Sequence, residues 1–117
     1  MNHGSITGGI VAEATNAYTP ATKEAPSIRR VVFKIATRDS HGGDGFWNCE
    51  AEGDDALMDF LEREGKPGRG VKLDYELACR PFFKHGVKAG ESRFLRVWAA
   101  EINGVRAGAP QQMEAGV

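Results

Sequence analysis

Apolar and polar residues alternate along most of the chain, and the breaks in that alternation divide it into elements. In residues 28–38, IRRVVFKIATR, one side holds Val31, Phe33 and Ile35. The other holds Arg30, Val32, Lys34, Ala36 and Arg38, as the two faces of a strand require. Residues 71–80 repeat the pattern, with Val71, Leu73, Tyr75, Leu77 and Cys79 inward and Lys72, Asp74, Glu76 and Arg80 outward. SRFLRVWAAEI, 92–102, is a further strand, and so much of it is apolar that either face can be core: Phe94, Arg96 and Trp98, or Leu95, Val97 and Ala99. HGSITGGIVAEAT, 3–15, predicts a strand with a bulge or sharp bend at Gly8–Gly9. In GFWNCEAEG, 45–53, Trp47, Cys49 and Ala51 share a face suited to a core. That leaves Phe46 on a polar face with Asn48, Glu50 and Glu52, and its position needs a reason.

Over residues 54–65, DDALMDFLEREG, the period becomes helical. Leu57, Phe60 and Leu61 form one stripe, Asp54 or Asp55 can cap the start, and Gly65 can end the helix. The connections are the Pro-, Thr- and Ala-rich NAYTPATKEAPS, the turn clusters DSHGGDG and KPGRG, and PFFKHGVKAGE at 81–91, which predicts a long hairpin loop. KPGRG lacks the earlier Gly and the Ser or Thr of a phosphate loop, so it is a turn. The order is strand, strand, strand, helix, strand, strand. An all-β chain of small helical content with that order matches a five-stranded oligonucleotide-binding (OB) barrel, its helix between strands three and four plugging one end. The domain is expected over 1–104, with 105–117 as a flexible tail.

Composition narrows the class. The chain has 117 residues, 41% hydrophobic and 26% charged, enough for one domain with a modest core. No apolar run approaches the ~18 residues of a membrane span. The N-terminal stretch lacks the basic and long apolar regions of a secretory signal, so a cytoplasmic location is expected. Cys49 and Cys79 fall in different strands with no Cys-x-x-Cys spacing and are expected to be small buried thiols. His3, His41 and His85 are scattered, without metal-ligand spacing. No metal, no cofactor and no catalytic constellation is expected.

The net charge of −1 hides a strong polarity. Arg29, Arg30, Lys34 and Arg38 precede any acid in strand two, and Arg80, Lys84, Lys88, Arg93 and Arg96 face Glu91 alone. Between 50 and 64 seven acids face only Arg63.

Four stretches together resemble bacterial and phage single-stranded DNA-binding proteins over roughly residues 4–102. YTPAT resembles their Tyr-Thr-Pro-Ser-Gly segment, and VVFKIAT their second strand. FWNCEAEGDDALMDFLEREG resembles their third strand, Gly and helix, and SRFLRVWAAEI their fifth strand. The resemblance implies an OB barrel that binds single-stranded DNA without sequence specificity, as an accessory of replication, recombination or repair. A homo-oligomer, dimer or tetramer, is expected, and no membrane partner. Aligning Gly53 with the Gly before the family's helix sets Phe46 where the family has a base-stacking Trp, and Trp47 at the inward position beside it. The family's acidic, hydrophobic tail tip has no counterpart in QQMEAGV, so recruitment of replication proteins through the tail is not implied.

The expected DNA track runs over Arg30, Lys34, Arg38 and Phe46, then the aromatic and basic cluster of Arg80, Phe82, Phe83, Lys84, Lys88 and Arg93, with Arg96 and Trp98 on the last strand. Of Phe82 and Phe83, one is expected to stack on bases and the other to anchor the hairpin. Glu50 and Glu52 are expected to repel phosphates. A rival reading stays open: a barrel serving as a protein-interaction or assembly module, supported by the acidic stretch 50–64 and by Glu52 where the family has a second aromatic.

Overall fold

In the computed structural model, which describes residues 3–19, 23–38 and 44–108, one long strand organises the sheet. β1 (His3–Tyr18) pairs antiparallel with β4 (Gly70–Lys84) through its first half and with β2 (Arg29–Arg38) through its second. Gly9 is the changeover, opposite Gly70 on one side and Ala36 on the other. Its neighbour Gly8 lies so close to β2 that a Cβ there would stand 2.6 Å from the Ala36 carbonyl oxygen. The expected bulge at Gly8–Gly9 is therefore a change of partner, and the register shifts occur later, at Ile10–Ala12 and Ala12–Thr15.

β3 (Asp44–Glu52) pairs with β2, and β5 (Val87–Ile102) with β4. The sheet closes where β3 and β5 meet in parallel, at Cys49↔Leu95 and Glu50↔Arg96. These five strands form the OB barrel expected from the element order. Val31, Phe33 and Ile35 of β2 and Cys49 and Ala51 of β3 fill it, and Trp47 packs partly buried against them. The helix α1 (Asp55–Glu64) adds Leu57, Met58, Phe60 and Leu61. Asp54 caps it by accepting from the Leu57 amide at 3.1 Å, and the Gly65 amide bonds back to Leu61. Among the described residues no helix is long and apolar enough to cross a membrane.

Four points depart from the sequence reading. Residues 105–108, assigned to the tail, form a sixth strand, β6 (Val105–Gly108), on the free edge of β5. Arg106 of β6 and Ser5 of β1 both bond Asp74, which is 4% exposed, so this edge is tied down by a shielded ion pair. The inward set of β5 changes part-way along. Asp74 pairs with Ala99 but Tyr75 pairs with Val97, leaving Trp98 as an extra residue. Leu95 and Val97 face the core before this bulge, and Ala100 and Ile102 after it. The third correction concerns 81–91. No long loop interrupts the strands: β4 and β5 continue as a two-stranded ribbon joined at His85–Gly86. Both turn residues have positive φ, 55° and 78°, as a tight two-residue hairpin turn demands. Cys79, expected to be buried, is exposed because it sits on this ribbon, beyond the part of β4 that faces the core. The loop 39–43 and residues 109–117 of the tail lie outside the described residues.

Candidate nucleic-acid interface

The pairing of β2 with β3 decides what faces outward. Opposed residues share a side of the sheet, so Arg30 and Glu52, Val32 and Glu50, Lys34 and Asn48, and Ala36 and Phe46 stand together outside the barrel. Phe46 is 62% exposed there. A ring of that size left in water by a strand whose other face is packed is not accounted for by the core. The strand termination that brings Arg38 opposite Asp44 is present, but the Arg38 side chain is outside the described residues.

The parallel contact of β3 with β5 brings the base of the ribbon to this face. A cleft of about 360 Å³ lies between them, lined by Thr15 of β1, Lys34 of β2, Asn48 and Glu50 of β3, Arg80 of β4, and Arg93 and Phe94 of β5. All five strands of the barrel thus reach one groove. None of the helix residues lines it.

Glu50 dominates the electrostatics. Arg80 donates to both of its oxygens, at 2.8 and 3.0 Å, and Arg30 donates to one at 3.2 Å. Burial pushes the Glu50 carboxyl up, but the two guanidiniums outweigh it and hold it below the usual carboxylate range. The Glu50 hydrogen bonds in turn raise Arg80. Glu50 therefore does not present a bare negative charge to the groove, contrary to expectation; with its two arginines the group is net positive. Arg30 and Arg80, expected to be free for phosphates, are committed to Glu50, although the buried Arg30 Nε has no hydrogen-bond partner among the described residues.

The other expected residues divide by position. Lys34, Lys84 and Arg93 are exposed and make no ion pair among the described residues. Lys88 pairs with Glu91 at 3.2 Å and Arg96 with Glu76 at 3.5 Å, both on the surface. Phe83 is 61% exposed on the ribbon. Phe82, 41% exposed, lies over its partner Gly90, where a Cβ would come within 2.9 Å of the ring, so it packs on the facing strand of the ribbon. Trp98 sits on the β5 bulge, half exposed, and does not line the cleft.

Two features escaped the sequence. One is Phe94, buried beneath Arg80 on the outer side of the sheet, and the other is the Glu50 clamp; partners thirty residues apart leave no local signal. The acids of 50–64 also separate in space. Asp55, Asp59 and Glu62 of α1 surround Arg29 at the end of the barrel, at 3.9, 3.0 and 3.2 Å. Among the described residues, no group of three or more His, Cys, Asp or Glu side chains could hold a metal ion.

Solved structures share this architecture. The barrel superposes on the mitochondrial single-stranded DNA-binding protein Rim1 of S. cerevisiae with a TM-score of 0.65, at 22% identity, over 86% of this chain and 93% of that one. The chain shares its fold with single-stranded DNA-binding proteins. Another, from Plasmodium falciparum and solved in complex with single-stranded DNA, matches at TM-score 0.58 and 14% identity, covering 83% of this chain and 84% of the other. A small single-stranded DNA-binding protein from Streptomyces coelicolor matches at 0.53 and 20%, covering 88% and 96%. No protein-family model and no curated protein sequence matches the chain.

Proposed function

We propose that this protein binds single-stranded DNA without sequence specificity, along the groove between the outer face of β2–β3 and the β4–β5 ribbon. The observation that carries the reading is Phe46: a 62% exposed ring on the outer face of an OB barrel, two residues along β3 from Asn48 of the cleft. Every base has a flat face, so stacking on such a ring is worth ~1–3 kcal/mol per base whatever the sequence. Lys34, Lys84 and Arg93 supply cations for the sugar-phosphate backbone, with Phe83 as a further platform on the ribbon. The net positive Arg30–Glu50–Arg80 group contributes one more.

The likeness to proteins whose names state single-stranded DNA binding supports the same conclusion. In this reading the protein is a binding protein without catalysis that self-associates as a dimer or tetramer and serves replication, recombination or repair. The interaction-module alternative loses its ground, because the helix acids lie off the groove around Arg29 and Glu50 is clamped. Titration of a fluorescent oligothymidine at two salt concentrations, with duplex as competitor, tests the proposal. Tight, salt-sensitive binding that prefers the single strand is expected. A flat salt response or equal affinity for duplex overturns it.

A further inference from the structure

Glu50 is an acid in a groove read as a phosphate track, and simple charge counting says that removing it must tighten binding. The geometry points to the opposite: we infer that Glu50 is a positioning residue, whose grip on Arg80 holds the β4–β5 ribbon over the groove in its DNA-ready orientation. The inference rests on the single-stranded DNA reading of the groove and goes beyond it.

Three observations converge. The Glu50 side chain is only 14% exposed and takes both Arg80 donors and one from Arg30, so it links β4, β3 and β2. Arg80 lies at the root of the ribbon, opposite Ser92, and reaches its acid across Phe94, whose ring centroid is 4.5 Å from the guanidinium carbon. Beyond Arg80 every residue of β4 is exposed, so the ribbon has little else to fix its direction. A two-stranded ribbon without a packed face is only marginally ordered. Its direction is therefore set at the root, and Glu50 supplies the fixed end of that link.

The competing effect can be bounded. Removing Glu50 frees Arg80 and Arg30, which together add at most two phosphate contacts and steepen the log–log salt slope by up to about 1.4. Losing the link leaves a long arginine and the whole ribbon to be ordered at the moment of binding, and that cost falls on affinity. The second effect is the larger.

The experiment compares Glu50→Gln, Arg80→Gln, the double variant and Glu52→Gln in the full chain. Oligothymidine affinity is measured across a salt series, and hydrogen exchange of the ribbon amides is followed without DNA. Glu50→Gln is expected to weaken binding about three- to ten-fold with no steeper salt slope, a range set by a partly exposed charge pair. Exchange should quicken over 79–94 while β2 amides keep their protection. Arg80→Gln should do the same, and the double variant should be little worse than either, since both cut one link. Glu52→Gln, which removes an acid with no arginine clamp, should tighten binding at low salt. Tighter binding by Glu50→Gln with a steeper slope, or unchanged ribbon exchange, overturns the inference. Loss of β2 protection in Glu50→Gln would assign the residue to general stability and overturn it too, with Arg80→Gln as the check from the other end. Failure of the unsubstituted protein to bind oligothymidine would sink the functional reading alone, because ribbon exchange still decides whether Glu50 holds the ribbon.

Discussion

The guanidinium carbon of Arg80 stands 4.5 Å from the ring centroid of Phe94, while the same guanidinium bonds both oxygens of Glu50. Phe94 is 4% exposed but lies outside the main core cluster, and the guanidiniums of Arg80 and Arg96 stand over its ring. The stack and the ion pair order one side chain from two directions, joining the ribbon to the barrel.

Phe94→Ala should lower stability by about 3 kcal/mol, the low end for a buried Phe because part of its cover is a mobile side chain. A urea midpoint read by circular dichroism checks this. Exchange of the ribbon amides should rise in the same variant.

Phe46→Ala should leave the urea midpoint nearly unchanged, because the ring is 62% exposed. Oligothymidine binding should weaken by ~1–3 kcal/mol, the worth of one stacked base. Unaltered affinity would remove Phe46 from the track.

Lys34→Ala and Arg93→Ala should each reduce the steepness of the log–log salt dependence by about 0.7, one phosphate contact apiece. Both side chains line the cleft. Affinity for different homopolymers should fall by the same factor, since backbone contacts carry no sequence information.

Asp74 gives the fold an acid limb. Burial pushes its carboxyl up, but hydrogen bonds from Ser5 and Arg106 outweigh that and hold it below its ordinary value. A carboxyl depressed in the folded state adds stability above its unfolded pKa of ~3.9, and that stability is lost as pH falls through the folded value. Asp74→Asn should therefore lower Tm at pH 7 and flatten its fall below about pH 4. Thermal melts over a pH series from neutral down through the unfolded carboxyl's ~3.9 measure it.

The two thiols should separate cleanly. Cys79 is exposed, whereas burial pushes the Cys49 thiol up to about 12. A thiol reagent at pH 8 (~8, near the free-thiol pKa) should label one cysteine per native chain quickly and the second only on unfolding. Two fast thiols in the native protein would contradict the packing of β3.

Alternation alone determined the inward faces of β2 and β3, because period-two patterning needs only the pleat of a strand and a dry side. Phe46 stood out in the sequence for that reason, as the one large ring on an otherwise polar face. The helical stripe of α1 and its Asp54 cap were equally local. Tertiary structure decided what depends on distant partners. The ribbon over 81–91 is composed like a loop, with Gly, Lys and His, and only pairing with the opposite strand makes it extended. The bulge at Trp98 reversed the inward set of β5, since the register of one strand is set by its neighbour. Asp74 and Glu50 look alike in sequence, two acids on outward positions of strands. Folding brings two arginines from other strands to Glu50, and Arg106 with Ser5 to Asp74, and so turns each solvated charge into a structural link.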